Sequence, residues 1–340
     1  MGIIDDLSKR MSLTYSKKSK EHFCTLFDSY FLPIGMTLHE SLMRHARPFH
    51  LWILCMDERV EKQLKQLRLP YITPVPLRDL ETSNLLKVKH NRSVAEYCWT
   101  VTPFTIKMVF NRALLAKRAT YVDADVFFFD DPRILLQEMD QTEKSVLITE
   151  HAYAPEYKYL LKRNGRFCVQ FMPFRHTIEG LKVLEWWQER CLEWCFAKHE
   201  GGKLGDQKYL ECWPEKFSKD VHILQFAEKT LAPWNVNFFF RTFGEKLKPV
   251  MYHFQGLRIM QNRVRLLGGY YLGSKPMKLY QEYFNVLKSK VCFLKSKSYW
   301  DPTLLEAHED QSFLAELILR LKLKRGFREI FFRKYLSMRT

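Results

Sequence analysis

The sequence lacks a glycine-rich phosphate loop: neither a Walker motif nor Gly-x-Gly-x-x-Gly occurs in its 340 residues. Such loops hold phosphates through backbone amides at a helix start. Any phosphate bound here must be held by a metal or by side chains. Cys-x-x-Cys is also missing. The eight cysteines stand at 24, 55, 98, 168, 191, 195, 212 and 292, which gives no thiolate set for a structural zinc. Cys24, Cys55 and Cys168 lie in apolar runs and read as small core hydrophobes. Cys191 and Cys195, four apart on one helix face, read the same way. Reduced thiols fit a cytosolic protein. No apolar run approaches the roughly 20 residues needed to span a bilayer. The start Met1-Gly-Ile-Ile-Asp-Asp6 is polar, without a signal-peptide pattern. These absences predict a cytoplasmic location.

What is present is apolar bulk and positive charge. A 46% apolar and 15% aromatic composition excludes a long disordered chain. The length suits one large α/β domain, or one domain and a tail. A net charge of +16 calls for an anionic partner or surface. Nucleic acid, anionic lipid and nucleotide substrates all fit that charge. No recognised nucleic-acid-binding motif accompanies it, so nucleic acid is not expected.

The most informative stretch runs from Ala119 to Pro132. The β-favouring Tyr121-Val122 and Val126-Phe127-Phe128-Phe129 are interrupted by two carboxylates, Asp123 and Asp125. Alternate strand residues share a face, so the two carboxylates are expected to aim together with Ala124 between them. Buried like charges repel and cost desolvation. A hard divalent cation, Mn²⁺ or Mg²⁺, removes both costs and keeps open positions for phosphate oxygens. Asp130-Asp131-Pro132 reads instead as a turn into a helix from Arg133.

Around this stretch lies an alternating frame. His22–Phe27, Leu51–Met56 and Tyr71–Val75 read as strands, separated by helices over Leu32–His45 and Glu58–Leu67. That order predicts a parallel sheet with right-handed crossovers. Ligands of such sheets sit beyond the carboxyl ends of the strands, where Phe27, Asp28 and Tyr30 stand. Residues 78–99 read as irregular and Thr102–Lys117 as a helix. Lys107 within it is either a snorkelling surface lysine or a cation near the Asp pair. Ser145–Ile148 and Arg166–Met172 read as strands, and Gln170 in the latter as a sugar or acceptor contact or a satisfied core amide. After a long helix over Thr177–Lys198, the Gly201–Gly205 segment delivers Asp206 and Gln207 to a helix start. Pro249–Gly256 reads as a short strand ending near His253.

Taken in order, these motifs resemble GT-A glycosyltransferases, nearest to glycosyltransferase family eight, over residues 22–260. The resemblance implies an α/β, Rossmann-like, mainly parallel mixed sheet flanked by helices. It places Phe27, Asp28 and Tyr30 at the nucleotide base, and Lys107 in the helix before the metal strand. Tyr121-Val-Asp123-Ala124-Asp125-Val126 is similar to the family's Asp-x-Asp strand, which binds metal and donor. Asp206-Gln207 resembles the pair that faces the donor sugar, and Trp234-Asn235 a Trp-Asn pair. His253-Phe-Gln-Gly256 resembles a motif whose His completes the metal site and whose Gly admits the diphosphate. Two departures stand out: Cys168-Val169-Gln170 replaces Asn-x-Gly, and Leu257-Arg258-Ile259 replaces Lys-Pro-Trp, with Arg258 as the substitute phosphate cation.

The expected activity is metal-dependent transfer of a hexose from a nucleotide sugar, UDP-sugar favoured, to a glycan or glycolipid acceptor, with retention. The alternatives are a nucleotidyltransferase of similar fold and a non-catalytic lipid- or nucleic-acid-binding protein. The expected layout is a polar lead-in over 1–20, a catalytic domain over 21–262 and a helical extension over 263–340. From Gln311 that extension turns basic and aromatic (Lys322, Arg325, Phe327, Phe331, Arg333), a pattern suited to an anionic membrane surface. A peripheral place at the inner membrane face, in making cell-envelope polysaccharide, follows from that reading.

Overall fold

The computed structural model describes residues 19–260, 264–266 and 269–300. The reading of a basic amphipathic end falls outside them, as does nearly all of the polar lead-in. The chain is a mixed α/β protein, as expected. Strand β1 (Glu21–Phe27), helix α1 (Leu32–His45), β2 (Phe49–Cys55), α2 (Glu58–Leu67) and β3 (Ile72–Pro76) form the predicted parallel unit. After α3 (Ser83–Lys89) and α4 (Val94–Arg112), β4 (Arg118–Val122) joins the other side of β1, again parallel. The sheet order β3-β2-β1-β4 therefore reverses direction between β1 and β4. A crevice opens at such a switch point, beyond the carboxyl ends of the strands.

The remaining elements complete this frame. They are β5 (Val126–Phe128), α5 (Arg133–Asp140), β6 (Val146–Glu150), β7 (Phe167–Cys168), β8 (Phe171–Arg175), α6 (Ile178–Glu193) and β9 (Val221–Ile223). Strand β8 runs antiparallel between β4 and β6, so the sheet is mixed. A second small sheet holds β10 (Thr230–Leu231), β11 (Met251–His253) and β5, with α7 (Val236–Phe243) between its first two strands. A hairpin, β12 (Leu257–Ile259) and β13 (Val264–Leu266), and helix α8 (Met277–Ser296) follow. Tyr280, Tyr283, Leu287 and Leu294 of α8 belong to the same core as Phe127 and Leu42. The hydrophobic core thus continues past residue 262.

Two segments differ from their sequence reading. Residues 78–99 are not irregular: α4 begins at Val94, eight residues before its expected start. Ser93 and Glu96 form a capping box that the pattern of apolar residues does not reveal. Pro103 sits inside this helix, and the hydroxyl of Thr102 bonds back to the Cys98 carbonyl (3.0 Å). Arg166–Met172 is not one strand either; it breaks at Val169-Gln170. Replacing Ser93 with Ala should cost about 1 kcal/mol in a urea melt, since it leaves the Glu96 N–H without its cap.

Candidate active site

Strand β4 ends at Val122, and the chain turns at once: the Val126 N–H donates to the Asp123 carbonyl (3.1 Å). This corrects the strand reading of the Asp pair. Asp123 and Asp125 do not share a strand face; a turn wraps them around Ala124, which is packed in the core. Asp131 lies, as expected, in the turn that leads into α5: its carboxylate accepts the Arg133 N–H (3.0 Å). His253 reaches the pair through β-sheet register. Strand β11 pairs with β5 so that His253 lies opposite Val126, and the Phe254 N–H donates to the Asp125 carbonyl (2.8 Å). The imidazole Nε2 then lies 3.1 Å from Asp125 Oδ1 and 3.6 Å from Asp123 Oδ2. Ligand atoms from Asp123, Asp125 and His253 all fall within 4.8 Å of one another.

A polar relay fixes the imidazole. The hydroxyl of Thr149 donates to the Cys168 carbonyl (3.3 Å), and Gln170 Nε2 donates to Thr149 Oγ1 (3.3 Å). That leaves Gln170 Oε1 to accept the Nδ1–H of His253 (3.0 Å). With its Nδ1 proton so placed, Nε2 is the nitrogen aimed at the carboxylates; it shares a proton with Asp125 in the metal-free protein and would turn a lone pair to a cation once that proton leaves. The break in the strand at Gln170 is what turns this amide toward His253. It is a satisfied amide, one of its two sequence readings. Replacing Gln170 with Leu should weaken Mn²⁺ binding by about 10- to 100-fold in isothermal titration calorimetry.

The three groups are held in tension. Burial is the largest cause pushing the Asp123 carboxyl up, to about 7; Asp125 adds to it, while the charge of His253 opposes it. Burial pushes Asp125 up too, but the charge and hydrogen bond of His253 outweigh it and hold that carboxyl below the usual range. Without a cation, the cluster settles by sharing a proton with His253. Two carboxylate oxygens and one imidazole nitrogen, with Asp123 28% exposed, fit a divalent cation approached from solvent.

Asp206 stands beside this cluster. It is 6% exposed, and its Oδ2 has no hydrogen-bond partner. Burial first, then the charge of Asp123, raises its carboxyl well above the usual range. The indole of Trp187, on α6, donates to the Asp206 carbonyl (3.0 Å) and sets its position. Gln207 donates from Nε2 to the Asn164 carbonyl (2.9 Å), which leaves its Oε1 for a ligand.

No protein-family model matches the chain. It is 30% identical over 258 residues to the uncharacterized protein YfnD of Bacillus subtilis (strain 168), covering 74% of this chain and 82% of YfnD. It is 33% identical over 253 residues to the uncharacterized protein YfnF of the same strain, covering 70% and 82%. The chain belongs to the family of YfnD and YfnF. Among solved structures it is similar to the glycosyltransferase GlyE of Streptococcus pneumoniae TIGR4 (15% identity, 83% of this chain and 66% of that one, TM-score 0.49). Mouse xyloside xylosyltransferase 1 in its apo form is also similar (14%, 69% and 97%, TM-score 0.45).

In this member of the YfnD and YfnF family the structure gathers most of the residues singled out in the sequence. Asp28 lies at the carboxyl end of β1, on the switch-point side, its carboxylate accepting the Tyr30 and Phe31 N–H groups (3.1 and 3.0 Å). The Phe27 ring faces away, packed against Gly35, so only its backbone can meet a ligand. Gly256 takes a φ of 80°, a left-handed value that favours glycine. Arg258 arrives over the Phe31 ring (5.4 Å), close enough for its charge to act on Asp125. Lys107 is not brought to the Asp pair: its ammonium pairs with Glu185 of α6 at 3.2 Å, because that face of α4 packs on α6 rather than facing the crevice. Glu150, at the end of β6, is committed to Arg166 (2.5 Å). Thr149, Tyr121 (whose hydroxyl donates to Asp123, 2.8 Å) and Trp187 escape the sequence reading. Of these only Tyr121, two residues before an Asp on a strand, carried a usable signal.

Proposed function

We propose that this chain is a metal-dependent glycosyltransferase. It would move a hexose from a nucleoside diphosphate sugar, a UDP-sugar by the motif resemblance, to a glycan or glycolipid acceptor. The observation that carries the reading is the convergence of Asp123, Asp125 and His253 at the switch point, with Asp206 beside them. A bound Mn²⁺ or Mg²⁺ would stabilise negative charge on the departing diphosphate. Asp123, Asp125 and His253 would hold it, and the imidazole in the set favours Mn²⁺.

The other roles follow from position. Asp28, Tyr30 and the Phe27 backbone border the base, Ala124 and Gly256 let the diphosphate approach the chain, and Arg258 neutralises charge on the phosphate side. Asp206, buried and with its Oδ2 unpartnered, orients the sugar through hydroxyl hydrogen bonds, with Gln207 Oε1 accepting another. Burial raises the Asp206 carboxyl well above the usual range, which suits a retaining reaction better than one that relies on a carboxylate general base. An NMR assay of the product anomer decides it; a product of opposite anomeric configuration to the donor overturns retention. The first test is a thermal-shift screen of nucleoside diphosphates and nucleotide sugars with Mn²⁺. A stabilising shift with one nucleotide sugar is expected, and none with any of them overturns the reading.

No described helix is long and apolar enough to cross a membrane. The proposed contact with an anionic inner membrane face rests on the sequence of residues 311–340. Their removal should lower co-sedimentation with anionic vesicles; unchanged co-sedimentation counts against it.

A further inference from the structure

An aromatic run leads from the metal-ligand candidates to the surface. Trp234 meets the His253 ring edge-on (5.7 Å, 86°) and donates from its indole to the His151 carbonyl (2.6 Å). Tyr270 follows at 5.8 Å from Trp234, and Tyr157 at 5.0 Å from Tyr270. The Tyr157 hydroxyl accepts the Tyr271 N–H (2.9 Å), and Asn237 of α7 accepts the Gly273 N–H (2.9 Å). The 270–273 segment is thus pinned on both sides. Tyr159 and Tyr271 stand 70% and 63% exposed. Tyr159 lies near enough to Tyr270 that its phenol, after burial, helps push the Tyr270 hydroxyl upward.

The 155–164 segment is also a charged edge of the site. Lys158, Lys162 and Arg163 are exposed there, while its one acid, Glu156, is paired with Arg241 (3.1 Å). Gln207 ties the segment to Asp206 through the Asn164 carbonyl. An aromatic wall of tyrosines that carries hydroxyls matches a sugar ring, which has an apolar C–H face and hydroxyls at its rim. Free cations beside it select acidic substituents and disfavour a bare hydrocarbon tail.

We propose that the face formed by Tyr157, Tyr159, Tyr270 and Tyr271 is the acceptor subsite, taking a carbohydrate chain with acidic substituents. The inference rests on the transferase reading of the adjoining cluster. Its test is affinity electrophoresis of the full chain through gels containing hyaluronate or dextran. Hyaluronate should retard the wild type more than dextran does. Tyr159→Ala with Tyr271→Ala should weaken that retardation about tenfold, the scale of two lost aromatic contacts. Both side chains are exposed, so the double variant should melt like the wild type. Tyr159→Trp with Tyr271→Trp should retain binding. Asp125→Asn should be retarded like the wild type, because it leaves the face intact. Equal retardation of the double-Ala variant and the wild type overturns the proposal, as does absence of retardation by hyaluronate. Tyrosine-dependent retardation in a protein that no nucleotide sugar stabilises leaves the carbohydrate face standing and removes the transferase reading.

Discussion

Asp125→Asn should reduce donor turnover in Mn²⁺ by about a hundredfold or more, the scale lost when a charge-stabilising group leaves an active site. The substitution keeps the shape of the side chain and removes its charge. It also separates two effects. In the metal-free protein, Asp123 and Asp125 repel across a few ångströms, and His253 compensates. Removing the Asp125 charge relieves that repulsion but also breaks its ion pair with His253, whose pull holds that carboxyl below the usual range, so the metal-free variant should melt below the wild type. With Mn²⁺ the gap widens. A ligand present at 100 times its Kd stabilises by about 2.7 kcal/mol, worth several degrees for a domain of this size. The wild type should gain that shift and the variant should not. Differential scanning fluorimetry with and without Mn²⁺ checks both halves. A variant that keeps both its Mn²⁺ shift and its turnover would remove Asp125 from the metal site.

The second large effect lies at Trp187, which never touches the crevice. Its ring is fully buried, stacked on Phe174 (6.3 Å, 7°) and edge-on to Trp213 (5.6 Å). Trp187→Ala should cost about 3–5 kcal/mol through the cavity it leaves, lowering the melting temperature by about 10 °C. Trp187→Phe keeps most of the apolar contact but loses the indole donor to the Asp206 carbonyl. A buried carbonyl left unpaired costs about 1–3 kcal/mol, and the Asp206 side chain loses its anchor. Turnover should fall about tenfold or more in Trp187→Phe, out of proportion to its change in stability, with Mn²⁺ affinity unchanged. If turnover only tracked stability across both variants, Trp187 would be a packing residue and nothing more.

Much of this was legible in the residues. The parallel unit followed from apolar runs alternating with amphipathic helices, and Leu32–His45 and Glu58–Leu67 start and stop where the pattern places them. Asp123, Asp125 and His253 stood out because charge in an apolar strand context needs a reason. Their geometry was not legible. A turn and a strand can present the same two carboxylates, and only the Val126–Asp123 hydrogen bond tells them apart. Lys107 misled because periodicity shows that a helix face is partly apolar, not which neighbour it packs against. Gln170 shows the limit most clearly. A polar residue in a strand signals a partner, but the partner, His253, comes from a distant part of the chain that local pattern cannot connect.

That distance has a consequence for how the protein comes apart. Asp125 sits in the turn just before β5 and His253 ends β11, its neighbour in the small sheet, yet the chain between them runs through most of the second half of the main sheet. A chelated cation would act as a clasp across that long loop. It would remove closure entropy from the unfolded chain much as a crosslink does, and open only when strand β11 leaves β5. Resistance to proteolysis between residues 126 and 252 should therefore rise on adding Mn²⁺ and vanish with a chelator. The clasp could then be timed by gel even before any substrate is known.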